Sequence, residues 1–142
     1  MILVLHGPNL NLLGKRQPEI YGTMTFQELN EGIRTYCAER CIEIIIEQSN
    51  SEGTLIDILQ GFDGDGIVFN AGAYTHYSYA IYDALLAIGV PAVEVHLTDI
   101  TQRDVFRQKS VIAPACVAHF AGGGIQSYLD GIAFLVLRQQ KE

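Results

Sequence analysis

The chain has few of the features that mark exported, membrane or nucleic-acid-binding proteins. It has three cysteines, and its nine Lys and Arg residues face 16 Asp and Glu, giving a formal net charge of −7. An odd cysteine count excludes a complete disulfide framework, and no basic segment precedes the apolar residues 1–5, so we expect a strand there and a cytoplasmic protein. No apolar run is long enough to cross a bilayer, and no basic stripe suggests a nucleic acid partner.

Motifs for metals, nucleotides and imine chemistry are also missing. The four histidines lie far apart without metal-ligand spacing, so we expect no metal site, and we expect Cys37 and Cys41 to pack in the core. No P-loop is present, and the glycine run 122–124 is weak support for a phosphate site. A Schiff base is disfavoured because no lysine follows a buried strand; the lysines are Lys15, Lys109 and Lys141.

The apolar pattern predicts one α/β domain over residues 1–142, with a hydrophobic content of 49%. Short apolar runs, typical of parallel strands covered on both faces, alternate with helical patterns. We therefore predict a flavodoxin-like, open, doubly wound, five-stranded parallel sheet of order 2-1-3-4-5. The expected strands are Ile2–His6, Ile42–Glu47, Gly66–Asn70, Ala92–His96 and Cys116–Phe120.

Helix ends are signalled by individual residues. Thr25 with Glu28 forms a capping box before a helix, and Ser51 can cap the next one. Gly89 ends the third helix, and the last begins near Ile125. The polar segment 99–109 predicts no more than a short helix.

The segment 6–22, HGPNLNLLGKRQPEIYG, predicts a long loop at the carboxyl end of the first strand. Loops this long in compact domains are usually functional or disordered. Arg16 precedes Tyr21 by five positions, and a guanidinium can lower the pKa of a phenol enough for it to act as a base. A surface loop in which both residues are merely exposed remains the alternative.

Polar residues follow every predicted strand, and ligands of open parallel sheets bind at that edge. Asn70 and His76 follow the third strand, and His96 ends the fourth. Each alone could be structural: His76 as a helix cap, and His96 as a strand-end residue bonded within the fold. Their convergence at one edge favours a site.

Three separated segments closely resemble type II 3-dehydroquinate dehydratases, over nearly the whole length. They are GPNLNLLGKRQPEIYG (7–22), NAGAYTHYSYAIYDAL (70–85), and PAVEVHLTDI with FRQKS (91–100 and 106–110). The resemblance implies reversible anti elimination of water from 3-dehydroquinate, through an enolate, to give 3-dehydroshikimate. Abstraction of a proton beside a ketone requires a base and an oxyanion stabiliser, and loss of hydroxide requires an acid, so no cofactor or metal is needed.

The resemblance also implies the catalytic roles. Tyr21 corresponds to the base, and Arg16 to the residue that favours its phenolate. Asn9 corresponds to the residue that holds the water stabilising the enolate. His96 corresponds to the acid that protonates the departing hydroxyl, and Glu94 to its supporting neighbour.

The remaining expectations concern binding and assembly. Asn70, His76 and Arg107 correspond to residues that hold the ring hydroxyls and the surroundings of the carboxylate, and the loop from about Leu13 to Met24 to a mobile lid. The family forms trimers that pack into dodecamers, so we expect a homo-oligomer. Leu97 and Thr98 correspond to the pair that binds the substrate carboxylate. Asp83 corresponds to a residue that reaches the site of a neighbouring subunit.

The chain departs from the common pattern of these enzymes at several positions. Thr98-Asp99 replaces Ser-Asn, which keeps a hydroxyl but adds a negative charge beside an anionic substrate. Tyr82 replaces Arg near the expected subunit boundary, so the details of assembly are open. Gln17 and Ala71 stand where many relatives have Glu and Pro.

Two other functional classes are weighed against this one. A flavin or phosphoacceptor module would need a hydroxyl-rich loop or an acidic pair after the first strand, and residues 6–9, His-Gly-Pro-Asn, offer neither. A catalytically silent ligand-binding relative is disfavoured by the joint presence of Tyr21, Arg16 and His96. Whether the enzyme serves aromatic amino acid biosynthesis through the shikimate pathway or quinate breakdown is left open.

Overall fold

The computed structural model describes residues 1–15 and 17–141, with Tyr21 described through its backbone alone. Five strands form one sheet of order β2-β1-β3-β4-β5, and every neighbouring pair is parallel. This confirms the predicted sheet and its strand order. The strands are β1 (Ile2–His6), β2 (Ile44–Gln48), β3 (Gly66–Asn70), β4 (Ala92–His96) and β5 (Ala118–Ala121).

Five α-helices connect and cover the strands: α1 (Pro18–Tyr21), α2 (Phe26–Glu39), α3 (Glu52–Gly61), α4 (Tyr79–Ile88) and α5 (Ile125–Gln140). The predicted caps are present: Thr25 and Glu28 form the capping box of α2, and the Ser51 hydroxyl accepts the Thr54 N–H at α3. Gly89 ends α4 in the left-handed conformation, with φ of 69°. Within the described ranges, no helix is long and apolar enough to span a membrane.

Two hydrophobic cores lie on opposite faces of the sheet, because alternate strand residues point to opposite faces. Helices α2 and α5 cover one face, where Ile33 and Ile132 pack on Val4 and Val68. Helices α3 and α4 cover the other, which holds Leu3, Phe69, Leu59 and Ile81 among others. The position of a polar residue at the end of a strand therefore decides which of the two cores its side chain points toward.

Three local expectations from the sequence are wrong. Strand β2 begins at Ile44 rather than Ile42, and β5 begins at Ala118 because residues 113–115 form a 3-10 turn to which Cys116 N–H bonds. Cys37 is buried as expected, but Cys41 is exposed. Helix α2 stops before Cys41, which takes a left-handed turn with φ of 56°.

The loop after β1 is more ordered than the pattern indicated. A 3-10 turn at Leu10–Leu12 and the short helix α1 lie within it, and Leu10 and Leu13 are buried in the core beneath α2 and α5. The loop begins with a close backbone approach: a Cβ at Gly7 would lie 2.5 Å from the carbonyl oxygen of Ala71. Only glycine fits there without a shift of the backbone. The predicted segment 99–109 contains two 3-10 turns, 100–102 and 105–107.

Candidate active site

A cleft of about 120 Å³ lies at the carboxyl ends of β1, β3 and β4, the edge at which the sequence predicted a site. It is lined by residues from the loop after β1, from residues 70–76, and from the segment after β4. Of the predicted site residues whose side chains the structure describes, seven line it: Asn9, Asn70, His76, His96, Leu97, Thr98 and Arg107.

A buried carboxylate lies behind His96 and engages its ring. His96 Nε2 donates to Glu94 Oε2 at 2.6 Å, and the Glu94 side chain has no solvent exposure. The two residues are two positions apart on β4 and therefore share a face of the sheet. Ser110 donates its hydroxyl to the other oxygen, Glu94 Oε1, at 2.6 Å, and the Nδ1 of His119 lies 3.1 Å from Glu94 Oε2.

These contacts decide the charge of Glu94. Burial acts to raise the pKa of Glu94, but the hydrogen bond and charge of His96, with contributions from Ser110 and His119, hold it below its usual value. Glu94 is therefore a carboxylate near neutral pH. A carboxylate that accepts from Nε2 fixes the ring and stabilises an imidazolium, which leaves Nδ1 as the nitrogen of His96 that Glu94 does not engage.

Asn70 is held by a buried chain of polar groups that extends into the opposite core. Its Nδ2 donates to the Tyr128 hydroxyl at 3.0 Å, and its Oδ1 accepts the Gly72 N–H at 3.1 Å. Tyr128 lies 3.0 Å from His6 Nδ1, and His6 Nε2 lies 2.9 Å from Asn30 Oδ1. Because Asn30 Oδ1 can only accept, His6 carries its hydrogen on Nε2, and Tyr128 donates to Nδ1.

The ionisation of this chain is suppressed at neutral pH. Burial lowers the pKa of His6 to about 4, against the opposing effect of its hydrogen bond to Asn30. Burial likewise raises the pKa of Tyr128, with the bond from Asn70 acting in the other direction. The hydrogen-bonded groups that run from Asn70 to Asn30 are therefore all neutral near neutral pH, and they fix the orientation of the Asn70 side-chain amide.

His76 presents an acceptor to the cleft. Its Nδ1 lies 2.7 Å from the carbonyl oxygen of Lys109 and must donate to it. Burial lowers the pKa of His76, and the charges of His96 and Arg107 lower it further, against opposing contributions from the Lys109 carbonyl and Glu94. A neutral ring with its hydrogen on Nδ1 has a bare Nε2, which can accept a hydrogen bond from a substrate hydroxyl.

The turn that carries Asn9 is tied to the neighbouring strand. Asn9 has a left-handed backbone with φ of 68°, and its N–H donates to Asn50 Oδ1 at 3.0 Å. Gln48 Nε2 donates to the carbonyl of Gly7 and to Asn50 Oδ1. Gln48 at the end of β2 and Asn50 after it thus hold the Asn9 turn, and neither lines the cleft.

Two guanidinium groups give the cleft a positive side. Arg103 and Arg107 line it, and both also line a groove shared with Gln17 and Ile20 of the loop after β1. Asp99 does not line the cleft, because its carboxylate accepts from the backbone and hydroxyl of Thr101 at 2.9 and 2.6 Å. The carboxylate of Asp99 is thus hydrogen-bonded within its own turn and does not face the cleft.

The remaining predicted site residues are Asp83, Arg16 and Tyr21. Asp83 is exposed on α4 and is absent from the cleft lining, and Arg16 lies outside the described residues, as does the side chain of Tyr21. The glycine run is engaged within the fold: Gly123 N–H donates to Ser127 and Gly124 N–H to the Leu97 carbonyl.

Some residues that shape the site were not identified from the sequence. Ser110 and His119 contact Glu94, and Tyr128 holds Asn70, yet each is remote in sequence from its partner. In the sequence, Tyr128 shows only the helical spacing that is typical of a core residue. The parallel register that pairs Glu94 with His119 could have been derived only with the strand boundaries known.

Comparison with known proteins gives consistent results. The profile of the family described as dehydroquinase class II matches residues 1–136. The chain is 52% identical over 130 residues to a 3-dehydroquinate dehydratase of Pelotomaculum thermopropionicum, covering 90% of each chain. It is 54% identical over 138 residues to one of Dictyoglomus turgidum, covering 96% of this chain and 95% of the other.

Solved structures show the same fold. A type II dehydroquinase from Butyrivibrio crossotus superposes with a TM-score of 0.92 at 46% identity, covering 94% of this chain and 95% of that one. A type II dehydroquinase from Propionibacterium acnes gives 0.90 at 36% identity, covering 94% of each chain.

Proposed function

The chain belongs to the class II dehydroquinase family, and from that premise we propose that it catalyses the reversible anti dehydration of 3-dehydroquinate to 3-dehydroshikimate as a single catalytic domain. The observation that carries this proposal is the Glu94–His96 pair, whose imidazole lines a cleft shared with Asn70, His76 and Arg107. A carboxylate-backed imidazole in a cleft is suited to deliver a proton to a leaving hydroxyl.

His96 is the proposed acid. Glu94 stabilises the imidazolium through Nε2, and the proton on Nδ1 passes to the departing hydroxyl, which leaves as water. The ring is then neutral with its hydrogen on Nε2, still bonded to Glu94. The hydroxyl of Ser110 on the far carboxylate oxygen keeps Glu94 oriented during this change.

Tyr21 is the proposed base, with Arg16 favouring its phenolate. Helix α1 ends at Tyr21, and its residue Ile20 and the preceding Gln17 border a groove with Arg103 and Arg107. The α1 segment thus lies against the positive side of the cleft, which is compatible with a base delivered from the loop. The phenolate removes a proton from the carbon beside the ketone, and an enolate forms.

The enolate and the substrate hydroxyls need donors and acceptors at fixed positions. We assign Asn9 to hold a water against the enolate oxygen, since its turn is anchored by Asn50. Asn70 and the bare Nε2 of His76 hold ring hydroxyls. The carboxylate is bound by Leu97 and Thr98, with Arg107 contributing charge, and none of these steps requires a cofactor.

We also propose a homo-oligomer, a dodecamer built from trimers, that acts in the cytoplasm, either in the shikimate pathway or in quinate breakdown. Asp83 is exposed on α4 and lies away from the cleft of its own chain, as a residue that reaches a neighbour's site should. Light scattering at micromolar concentration should give the mass of an assembly. A fully active monomer would contradict this part of the proposal.

The decisive experiment is a turnover assay. Mixing the protein with 3-dehydroquinate should produce the absorbance of dehydroshikimate, and no turnover would reject the activity in favour of a silent binding relative. Borohydride added with substrate should leave activity intact, because an enolate route forms no imine. A product adduct on Lys15, Lys109 or Lys141 would contradict the enolate route.

A double-mutant cycle tests the base. Tyr21→Phe keeps the bulk of the ring and should lower kcat by about 10²- to 10⁴-fold. Arg16→Ala should be nearly as damaging while a substrate-like anion still binds, and Arg16→Lys should recover only part of the loss. The two effects should be far from additive because both disable one acid–base unit. Near-normal turnover in Tyr21→Phe would refute the assignment.

A further inference from the structure

The fold brings together three metal-binding side chains that are distant in sequence. Glu94 and His96 share a face of β4, and His119 on β5 is the register partner of Glu94. One donor atom from each of the three residues lies within 4.8 Å of the others. We propose that Glu94, His96 and His119 form a binding site for a divalent transition metal, of which Zn²⁺ fits best.

The donor set is the first argument. Two imidazoles and one carboxylate are a set that Zn²⁺ uses in proteins, with a fourth position left for water. Glu94 Oε2 lies 2.6 Å from His96 Nε2 and 3.1 Å from His119 Nδ1, so both rings already point at the same oxygen. The hydrogen atoms on the two ring nitrogens therefore occupy the position that a chelated metal ion would take.

The distances are the second argument. Zinc–ligand bonds of about 2.0–2.1 Å at tetrahedral angles place neighbouring donor atoms roughly 3.3 Å apart. To reach this spacing, the distances from Glu94 Oε2 to the two ring nitrogens must each increase, by between a few tenths of an ångström and about 0.7 Å. The largest separation among the three donor atoms must decrease by at most about 1.5 Å. His119 can supply this movement, because its side chain is 42% exposed on an edge strand.

The surroundings complete the site. Ser110 donates to Glu94 Oε1 and so leaves Oε2 for the metal, in the manner of groups that orient metal ligands from behind. When the metal binds, the hydrogen on His96 Nε2 moves to Nδ1, and that on His119 Nδ1 moves to Nε2. Two neutral rings therefore release no proton, whereas each imidazolium releases one.

The effect on the enzyme rests on the proposed function. A metal at Nε2 leaves His96 with a single N–H, on Nδ1, which is a much weaker acid than the imidazolium that it replaces. The metal lies behind the ring, on the Glu94 side, so the cleft keeps its shape. Zinc should therefore lower kcat while KM changes little.

Zinc binding can be measured without reference to activity. The assembled protein, freed of metal with EDTA and dialysed, is titrated with ZnCl₂ in a calorimeter, in a Cys41→Ser background that removes the exposed thiol. We expect one zinc per chain with micromolar affinity. His119→Val and His119→Gln each remove a direct ligand and should weaken binding by more than the roughly 10- to 100-fold that is usual when a group supporting a metal ligand is lost. Two variants are used in case one misfolds.

Turnover of the same proteins separates the two proposals. In EDTA, kcat is measured for the parent and for both His119 variants, because His119 also contacts Glu94 and its loss changes the zinc-free kcat by itself. Relative to these zinc-free values, micromolar zinc should lower the kcat of the parent alone. Equal zinc affinity in the parent and in a folded His119 variant would overturn the site, as would no binding at millimolar zinc. Zinc that binds through His119 without slowing turnover would instead contradict the role of His96 as acid.

Discussion

The side-chain amide of Asn70 donates to the phenolic oxygen of Tyr128 at 3.0 Å, so a residue at the rim of the cleft is positioned from the first turn of helix α5. The phenol in turn donates to His6 on the neighbouring strand β1. The effects of removing or ionising a member of this hydrogen-bonded series, Asn70–Tyr128–His6, can be measured directly.

Tyr128→Phe should affect both stability and substrate binding. The change leaves buried groups of Asn70 and His6 without a partner, which should lower the free energy of unfolding by about 1–3 kcal/mol. KM should rise more than kcat falls, because Asn70 loses its orientation. Urea denaturation and steady-state kinetics measure the two effects. Tyr79→Phe, at a position 67% exposed, is the matched control and should change neither.

Acid should destabilise the protein through His6. Its pKa is about 4 in the folded state and near 6.5 when unfolded, so the unfolded chain binds more protons between these values. The contribution of neutral His6 is therefore complete above about pH 6.5 and is lost as the pH falls to about 4. The loss should be about 3 kcal/mol. In NMR, one imidazole should titrate near pH 4, and a midpoint near 6.5 for His6 would contradict the burial argument.

Ser110→Ala should slow turnover with little effect on substrate binding. Without the Ser110 hydroxyl, Glu94 loses the donor to Oε1, and its pKa rises toward the value that burial favours. Hydrogen bonds to charged groups are worth about 1.5–3 kcal/mol, so kcat should fall roughly tenfold or more. Ser110→Thr, which retains a hydroxyl, should restore most of the activity. An equal loss in both variants would point to the backbone turn at residues 110–113 instead.

Gly7→Ala should damage the loop that carries Asn9. The new Cβ would lie 2.5 Å from the Ala71 carbonyl oxygen, which forces the two backbones apart. Such overpacking typically costs about 1–3 kcal/mol. Gly61→Ala is the control, because a Cβ there meets nothing within 4 Å, and alanine near a helix end should be neutral or mildly stabilising. Thermal melts compare the two, and a smaller loss in Gly7→Ala than in Gly61→Ala would contradict the steric argument.

The sequence predicted the sheet order and the caps because both depend on local or periodic signals. Thr25, Ser51 and Gly89 act within their own helix ends, and short apolar runs fix the strands to within two residues. The helix α1 was missed because four residues are too few to show a period. Cys41 was placed wrongly because the end of α2 decides whether it faces the core.

A cleft lies at the edge that the sequence indicated, because the carboxyl ends of parallel strands share an edge. The hydrogen-bond partners of its residues could not be predicted, because they come from tertiary contacts between distant segments. Nothing local indicates that His119 meets Glu94, or that Tyr128 meets Asn70. The assignment of Tyr21 and Arg16 stays a prediction.

The two hydrogen-bonded groups of the site belong to opposite faces of the sheet. Asn70 is held from the α2/α5 face, and His96 with Glu94 lies on the face of α3 and α4. Under the proposed mechanism, binding of the substrate hydroxyls by Asn70 and delivery of the proton by His96 would therefore depend on separate layers of packing. In a saturation mutagenesis library, variants in the α2/α5 core should be enriched among those with raised KM, and variants around residues 110–115 among those with lowered kcat. An evolving lineage could then alter substrate affinity through one layer while leaving proton transfer in the other unchanged.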